Sequence, residues 1–567
     1  MPPGSGRKES PEWMEVSKIE GDTHKVSCKS CGDKISAKIE RVRAHLKKCS
    51  KKVVPSTSNS FFQDCNEVEV QDVQTACNDE PKFKRQKTMS EFAVKTTESQ
   101  KSILDMKIAK FFYANNIAFN VANSKEYKEM LEALRPGYSG PNRLNLGGKL
   151  LDAASLEAEE LLKHKLSESR STVTLLVDGW TNIKNEPIIA TCIHTGLKSF
   201  FLNAIDCASD KKTAEYCANI TSEEIKQCND FGIDVFAVCT DNENKMLKAR
   251  ELLKEKHENL ITYGCSAHYL NLLAEEISKK DILKHIAEVH KYFRNHHVPH
   301  GWLKEKNALM PQLACETRWN SQANCVTTFI KNYPLYLEIQ VEHADDFPAN
   351  INRILGNAMI YKEAVNMQKQ LMVIENVSIK IQSEATNLSD AVEYWIDLKE
   401  NENLNPYVQI IDKRFNQALT PFHFLANMLN PKYNGKRLTQ DMVKAAEEWV
   451  SVKNVEWLIP VMSFKIRDAS IFPKSMFAES VVNHFSFSKW WTVLEGHSSG
   501  HVKEFCSFMV SLANCPASSA GIERIFSTCG LVWSKLRNSL GLEKAKKLVK
   551  VHRHLKNTAE ETDPEIY

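Results

Sequence analysis

Apolar residues change their spacing several times along this chain, and each change marks a different part of it. From Ile103 to about Lys165 they recur at helical intervals, as in Ile108, Phe111 and Phe112 and again in Met130, Leu131 and Leu134, a period that predicts helices. Pro136-Gly137 and Ser139-Gly140-Pro141 punctuate this block. Thr172 to Val177 is then a β-rich run, followed by Ile188 to Thr195 and Phe200 to Ile205. These runs predict three consecutive strands, the first buried and the next two joined by a tight turn. Thr213 to Asn229 predicts a helix, Ile233 to Cys239 a further buried strand, Glu243 to Lys256 a helix, and Leu260 to Tyr263 a short fifth strand. After Cys265 the pattern is helical almost to the end, and residues 276–495 predict no strand. A last helical block runs from about Ser519 to Lys556, with a break near Leu531 to Ser534. No repeat of fixed period is present.

The front of the chain differs in charge. Residues 1–52 carry 13 lysines and arginines against 7 aspartates and glutamates, whereas the 567 residues together hold 74 against 71. That near balance excludes a polycation or an acidic tail and leaves room for a local basic patch. No apolar run reaches the roughly 18 residues needed to cross a bilayer, and the polar stretch Met1 to Glu20 is not a secretory signal. Sixteen cysteines are too sparse for a secreted disulfide scaffold and read as reduced thiols of the cytosol or nucleus. The region 53–103, rich in Ser, Thr, Gln, Asp and Lys, reads as a mobile linker. Within it, the basic cluster Pro81 to Lys87 reads either as a solvated charge run or as a nuclear import signal.

Cys28-x2-Cys31, thirteen residues, then His45-x3-Cys49 has the spacing of a tetrahedral zinc site. Two thiolates come from a tight turn and two ligands lie one turn apart on a helix. A segment this short has little core, so the metal would supply much of its folding free energy. Lys38, Arg41, Arg43, Lys47 and Lys48 lie in the same segment. Beside a metal and an excess of positive charge they predict contacts to DNA phosphates.

Asp178 directly follows the buried run Thr174 to Val177, and Asp241 follows Val235 to Thr240. If the two strands are parallel neighbours, both carboxylates meet at one edge of the sheet, where open α/β sheets present their ligands. Either aspartate alone reads as a cap of a turn or helix. The pair also reads as a site for magnesium or manganese, because two acids at one edge repel and a divalent cation relieves the repulsion. Two ions about 3.5–4 Å apart would activate a water or hydroxyl and stabilise the leaving oxygen of a phosphodiester. The strand order is that of a ribonuclease-H-like fold, whose third acid lies on a later helix. Glu523 stands on such a helix with Ser518 or Ser519 as its N-cap, although by itself it reads as a surface acid paired with a base.

Several segments carry a resemblance. Leu176-Val177-Asp178-Gly179-Trp180-Thr181, Tyr263 to Leu272 with its Cys265-x2-His268, Glu316-Thr317-Arg318-Trp319-Asn320-Ser321, Leu429 to Tyr433, and Asn514 to Leu540 resemble motifs of hAT-superfamily DNA transposases. Asn430 and Lys432 depart from that pattern. The front segment, with Trp13, resembles a BED-type zinc finger, with Val16 near where a second aromatic is expected. The resemblance implies an α/β plus α architecture: a ribonuclease-H-like mixed-sheet core interrupted by a large all-α insertion, behind a small N-terminal zinc finger.

The implied divisions are a zinc finger at 1–55, a disordered linker at 56–104 and a helical DNA-binding or intermediate region at 105–165. The first part of the core follows at 166–275, the insertion at 276–495, the last core helix with a dimerisation region at 496–557, and a tail at 558–567. Asp178, Asp241 and Glu523 match the family's metal-binding catalytic triad, the last two standing 282 positions apart. Trp319, beside Arg318, matches a tryptophan that serves a flipped base. Cys265 and His268 read as core packing and DNA positioning rather than metal binding. His285, His290, His296, His297 and His300 read as a solvated helix end.

The implied activity is cut-and-paste transposition of double-stranded DNA with a hairpin on the flanking DNA, by a nuclear homodimer or higher oligomer assembled through the C-terminal region. The alternative is a domesticated derivative that binds DNA, dimerises and regulates transcription without catalysis. No membrane partner is expected.

Overall fold

The computed structural model describes residues 15–19, 22–49, 96–169, 172–182, 185–207, 212–314, 319–533 and 540–562. The chain divides into two units, Met1–Gln86 and Lys87–Tyr567. Among the described residues no helix is long and apolar enough to cross a membrane. The basic cluster Pro81 to Lys87 and most of the expected linker lie outside the described residues.

The first unit is a three-stranded antiparallel sheet, β1 (Val16–Ile19), β2 (Asp22–Cys28) and β3 (Lys34–Ser36), followed by the helix Ile39–Lys48. Its core is five buried residues: Val16, Val26, Cys28, Val42 and Leu46. So few apolar contacts give little stability without a further cross-link.

The second unit is built on five strands: β4 (Val173–Thr181), β5 (Pro187–His194), β6 (Ser199–Asp206), β7 (Val235–Thr240) and β8 (Ile261–Gly264). Their order is β6-β5-β4-β7-β8. The first three form an antiparallel meander, and β7 and β8 run parallel to β4. This is a ribonuclease-H-like mixed sheet. The run Val173–Val177 is buried throughout because helices cover both faces, which is why it reads as continuous rather than alternating.

Alternation along the strands sorts the faces. Leu175, Val177, Ile189, Ile193 and Val238 pack with residues of the helices Ala214–Asp230 and Asn244–Lys256. Leu176, Ala190, Cys192, Ala237 and Cys239 turn to the other side and join the main core, with Ile522 and Ile525 of the helix Ala520–Val532.

From Ser266 to Ala513 the described residues are helical apart from turns and short 3-10 segments, with an isolated bridge between Asn387 and Pro516. Trp395, Trp490 and Trp491 are among its largest fully buried side chains. The Leu429 to Tyr433 element is a joint within it. Leu429 O accepts from Trp491 Nε1 at 3.2 Å, Asn430 Nδ2 donates to Ser389 Oγ at 2.7 Å, and Tyr433 donates to Asp390 at 2.6 Å.

Three expectations are corrected. β4 continues to Thr181, so Asp178 stands inside the strand rather than after it, held by its antiparallel pairing to Ala190. Ser519 occupies the N-cap position of the helix Ala520–Val532 without a side-chain cap bond; it is the Ser518 hydroxyl that accepts from Ala520 N, at 3.4 Å, while donating to Ile381 O at 3.0 Å. His290 is fully buried, with Nδ1 2.6 Å from Gln312 O; burial drives its imidazole down to about 4, so it belongs to the core and not to a solvated helix end.

Candidate functional site

Two clusters of chemistry-bearing side chains stand out, one in each unit. In the first unit Cys28 ends β2 and Cys31 sits in the turn after it. His45 lies on the following helix and Cys49 is its C-cap. One ligand atom from each of the four lies within 4.8 Å of the others. Cys31 Sγ is 3.1 Å from His45 Nε2.

Burial raises the Cys28 thiol, but backbone N–H groups at Cys31 and Ser30 outweigh it and bring it down to about 7. A backbone donor at Asp33 favours the Cys31 thiolate; burial and the neighbouring Cys28 oppose it and push it up to about 11. One thiolate thus forms readily and resists the next, a conflict that a bound cation resolves. Three sulfurs and an imidazole fit zinc in a closed tetrahedral site. Lys38, Arg41 and Arg43 are exposed alongside; the side chains of Lys47 and Lys48, and Trp13, lie outside the described residues.

In the second unit the strand register brings two acids together. The parallel pairing of β4 with β7 ends at Val177 opposite Thr240, so Asp178 and Asp241 are the next residues on neighbouring strands. By alternation Asp178 shares the sheet face of Leu176, the face covered by the helix that carries Glu523. That helix approaches closely because Gly521 has no side chain. A Cβ there would collide with Ser199 Oγ and lie 3.2 Å from Leu176 Cδ1.

The helix is also fastened at both ends. Tyr263 donates to Pro516 O at 2.8 Å, Ser266 N to Ala517 O at 3.1 Å, and Ser519 N to Cys265 Sγ at 3.3 Å. Trp180 packs on Phe526 and Trp533, each with ring centroids 5.3 Å apart. Arg524 pairs with Glu384 at 2.9 Å and donates to Gln382 O at 3.0 Å.

The Asp178 carboxyl is pushed up to about 8, first by burial, then by the charges of Asp241 and, more weakly, Glu523; the Gly179 N–H, 2.7 Å away, and Lys212 act in the opposite sense. Asp241 is raised too, by burial and then by Glu243, against the Glu243 N–H, His268 and Lys212. Glu523 is exposed on the fourth residue of its helix. The three acids do not converge as the finger's four ligands do: among the described residues, that group alone meets the metal-cluster geometry.

His268, on the helix Ser266–Ile277, lines a groove of about 760 Å³ beside Asp241, together with Lys245, Arg414 and Gln417. Cys265 is buried, and burial pushes its thiol up to about 11, in keeping with packing rather than metal ligation. Trp319 begins the helix Trp319–Glu342, but its side chain and the whole of Arg318 lie outside the described residues. Of the apolar residues in the region expected to dimerise, Leu512, Ile525, Val532, Leu548 and Val549 are buried within the chain, whereas Leu531 is exposed.

Sequence reasoning missed three supports of this edge. Arg250 donates to Thr240 Oγ1 and to Asp241 O, both at 2.7 Å, and so fixes the end of β7. Asn242 Nδ2 donates to Cys265 O at 2.9 Å. Lys212 lies across Gly179. The usable signal was a glycine inside a strand, which marks a close approach by another group.

A family model described as a domain of unknown function, DUF659, matches residues 141–293. That span includes Asp178, Asp241 and His268 and ends well before Glu523. No curated protein matches the chain.

Proposed function

We propose that this chain is a hAT-type transposase-like protein that binds double-stranded DNA through its finger and cuts it at the edge formed by Asp178, Asp241 and Glu523. The observation that carries the reading is the half-buried Asp178 carboxyl on the strand beside β7, held up to about 8 by loss of solvent and by Asp241 and Glu523, acids that are distant in the chain. Such a carboxyl has an unfavourable charge to share. The DUF659 match supports the same reading, because that region is associated with hAT transposases.

Carboxylate oxygens suit magnesium or manganese, and Asp178, Asp241 and Glu523 would hold the ion. When bound, the ion activates a water or hydroxyl and stabilises the leaving oxygen of a phosphodiester. The protein's own part is positional. β4 and β7 set the two aspartates side by side, Arg250 fixes the end of β7, and the Gly521 contact sets the height of Glu523. His268, beside Asp241, and the Lys245 and Arg414 groove would meet the DNA backbone. Trp319 with Arg318 would hold an unstacked base at the hairpin step, and Lys38, Arg41, Arg43, Lys47 and Lys48 would contact phosphates from the finger. The protein would act in the nucleus as a homodimer or larger assembly through its C-terminal region.

Purified full-length chain with manganese and its own genomic flanks should nick and then form hairpins. Asp178→Ala, Asp241→Ala and Glu523→Ala should each abolish nicking; three variants that nick like wild type would falsify the assignment. A second reading, a transposase-derived regulator that binds DNA without cutting it, is favoured by the exposure of Glu523 and by acids that stand further apart than the finger's ligands. DNA binding that depends on Cys28, with no manganese-dependent nicking, selects that second reading.

A further inference from the structure

We propose that Lys212 is a substrate-positioning residue of the acid edge: its ammonium offsets the two aspartates in the metal-free chain and meets a phosphodiester oxygen once a divalent cation has taken over that role. This rests on the acid-site reading above. It names a residue outside the motifs that carry the family resemblance.

The geometry begins at Gly179. A Cβ on that residue would collide with Lys212 Nζ and would lie 3.0 Å from Lys212 Cε and 3.7 Å from Ile188 O. The lysine therefore crosses the backbone immediately after Asp178, with its ammonium in the space that a side chain at 179 would take and from which that methyl would push it. Its origin is fixed. Thr213, the next residue, is the N-cap of the helix Ala214–Asp230 and accepts from Tyr216 N at 3.2 Å. Lys212 is half-buried, and its charge reaches both Asp178 and Asp241. The guanidiniums nearby are engaged in holding structure: Arg250 at Thr240 and Asp241 O, Arg524 at Glu384 and Gln382 O. Among the described residues no hydrogen bond or ion pair fixes the Lys212 ammonium.

A cation near two acids is attracted while they are bare and repelled when a divalent ion sits between them. Lysine's flexible four-carbon stem lets its ammonium move without disturbing the backbone. The anion that a divalent ion at a sheet edge would bring with it is the phosphate of the strand being cut. A positively charged group left beside the ions is then placed to meet that phosphate's free oxygen.

The test uses the full-length chain and two measurements that need no cleavage. Manganese titration without DNA should show that Lys212→Met binds the ion about tenfold more tightly than wild type, because a like charge has gone. The factor by which calcium tightens binding of a short duplex, in which the finger's own contribution cancels, should fall about tenfold in Lys212→Met and stay within about threefold of wild type in Lys212→Arg. Gly179→Ala should mimic Lys212→Met in the wild-type background and add nothing to it in the double variant.

Manganese affinity unchanged or weakened in Lys212→Met, or a calcium factor equal to wild type, overturns the inference. Additive losses in the double variant also overturn it, since Gly179 would then serve the strand alone. If Gly179→Ala fails to fold, the Met and Arg pair at 212 still decides. Asp178→Asn separates the two levels. Loss of manganese binding there keeps the acid-site reading even if the lysine result is negative. Manganese binding equal to wild type removes that reading, and this inference with it.

Discussion

The finger and the acid edge both gather chemistry-bearing side chains, but by opposite routes. The finger draws four ligands from residues 28 to 49, and local turns bring one atom of each within 4.8 Å of the others. The acid edge draws on residues 178, 241 and 523, and nothing local joins them. Two are aligned by strand register and the third by a helix packed on the sheet face. A site written in short spacings is complete in a segment of under fifty residues. A site written in register and packing exists only when the whole core has formed, and its geometry inherits every looseness of that core.

The sharpest break in this comparison is Cys28→Ser. With a core of only five buried residues the finger would depend on a metal held by its Cys/His cluster, and apparent zinc-binding energies in such modules are about 10–16 kcal/mol. Zinc measured by atomic spectroscopy should fall from one ion per chain to almost none, and the β1–β3 sheet should unfold while the second unit keeps its melting transition. Zinc retained at full content would contradict the ligand set.

Asp178→Ala should do the converse. Manganese-dependent nicking should fall at least about 10³-fold, as for loss of a principal charge-stabilising group, with zinc content and finger-mediated DNA binding unchanged. Gly521→Ala is the next largest. Its new methyl meets Ser199 and Leu176, so overpacking should cost about 1–3 kcal/mol, read as a lower denaturation midpoint of the second unit. It should also lift Glu523 away from the aspartates and weaken manganese binding. An unchanged midpoint would mean that the helix has room to move.

The last prediction is a pH dependence. The folded Asp178 carboxyl holds its proton up to about pH 8, well above an unfolded aspartate. The fold therefore binds more protons than the unfolded chain between the two values, and stability falls as pH rises from about 4 through about 8. Asp178→Asn cannot ionise and should gain on wild type steadily across that window in thermal melts. Manganese at pH 8 should raise the wild-type melting temperature and leave the variant's unchanged. A variant that gains nothing between pH 5 and pH 9 would show that the carboxyl is not strained.

How much of this was legible in the sequence follows from the same contrast. The Cys/His cluster of the finger was readable from spacing alone. The five strands were readable because the run Val173–Val177 and its partners are apolar on both faces and bounded by turns. The neighbourhood of Asp178 and Asp241 required one further step, the assumption that β4 and β7 are parallel. The placement of Asp178 inside β4 was not legible, because the antiparallel pairing to β5 that extends the strand depends on residues beyond the apolar run. Ser518 was legible as a partner for the start of the helix, and its oxygen does accept from Ala520 N, but the bond its hydroxyl donates to Ile381 O, 137 positions away, was not. The histidine run looked solvated because no acid or cysteine stands at fixed offsets from it, whereas helix periodicity turns the His290 ring inward. Lys212 and Arg250 carried no motif at all; only the folded geometry gives them their places.

The stretch from Pro516 to Ser519 is hydrogen-bonded to residues 263–266 on one side and to residues 381–386 on the other. One consequence concerns synthesis. A nascent chain emerges from the ribosome with β4 to β8 long before the Gly521 helix exists, so the sheet face around Leu176 waits uncovered while the whole helical stretch is made. Such a chain would be sticky, and a premature stop between β8 and the last helices would leave a fragment with an apolar sheet face open to aggregation.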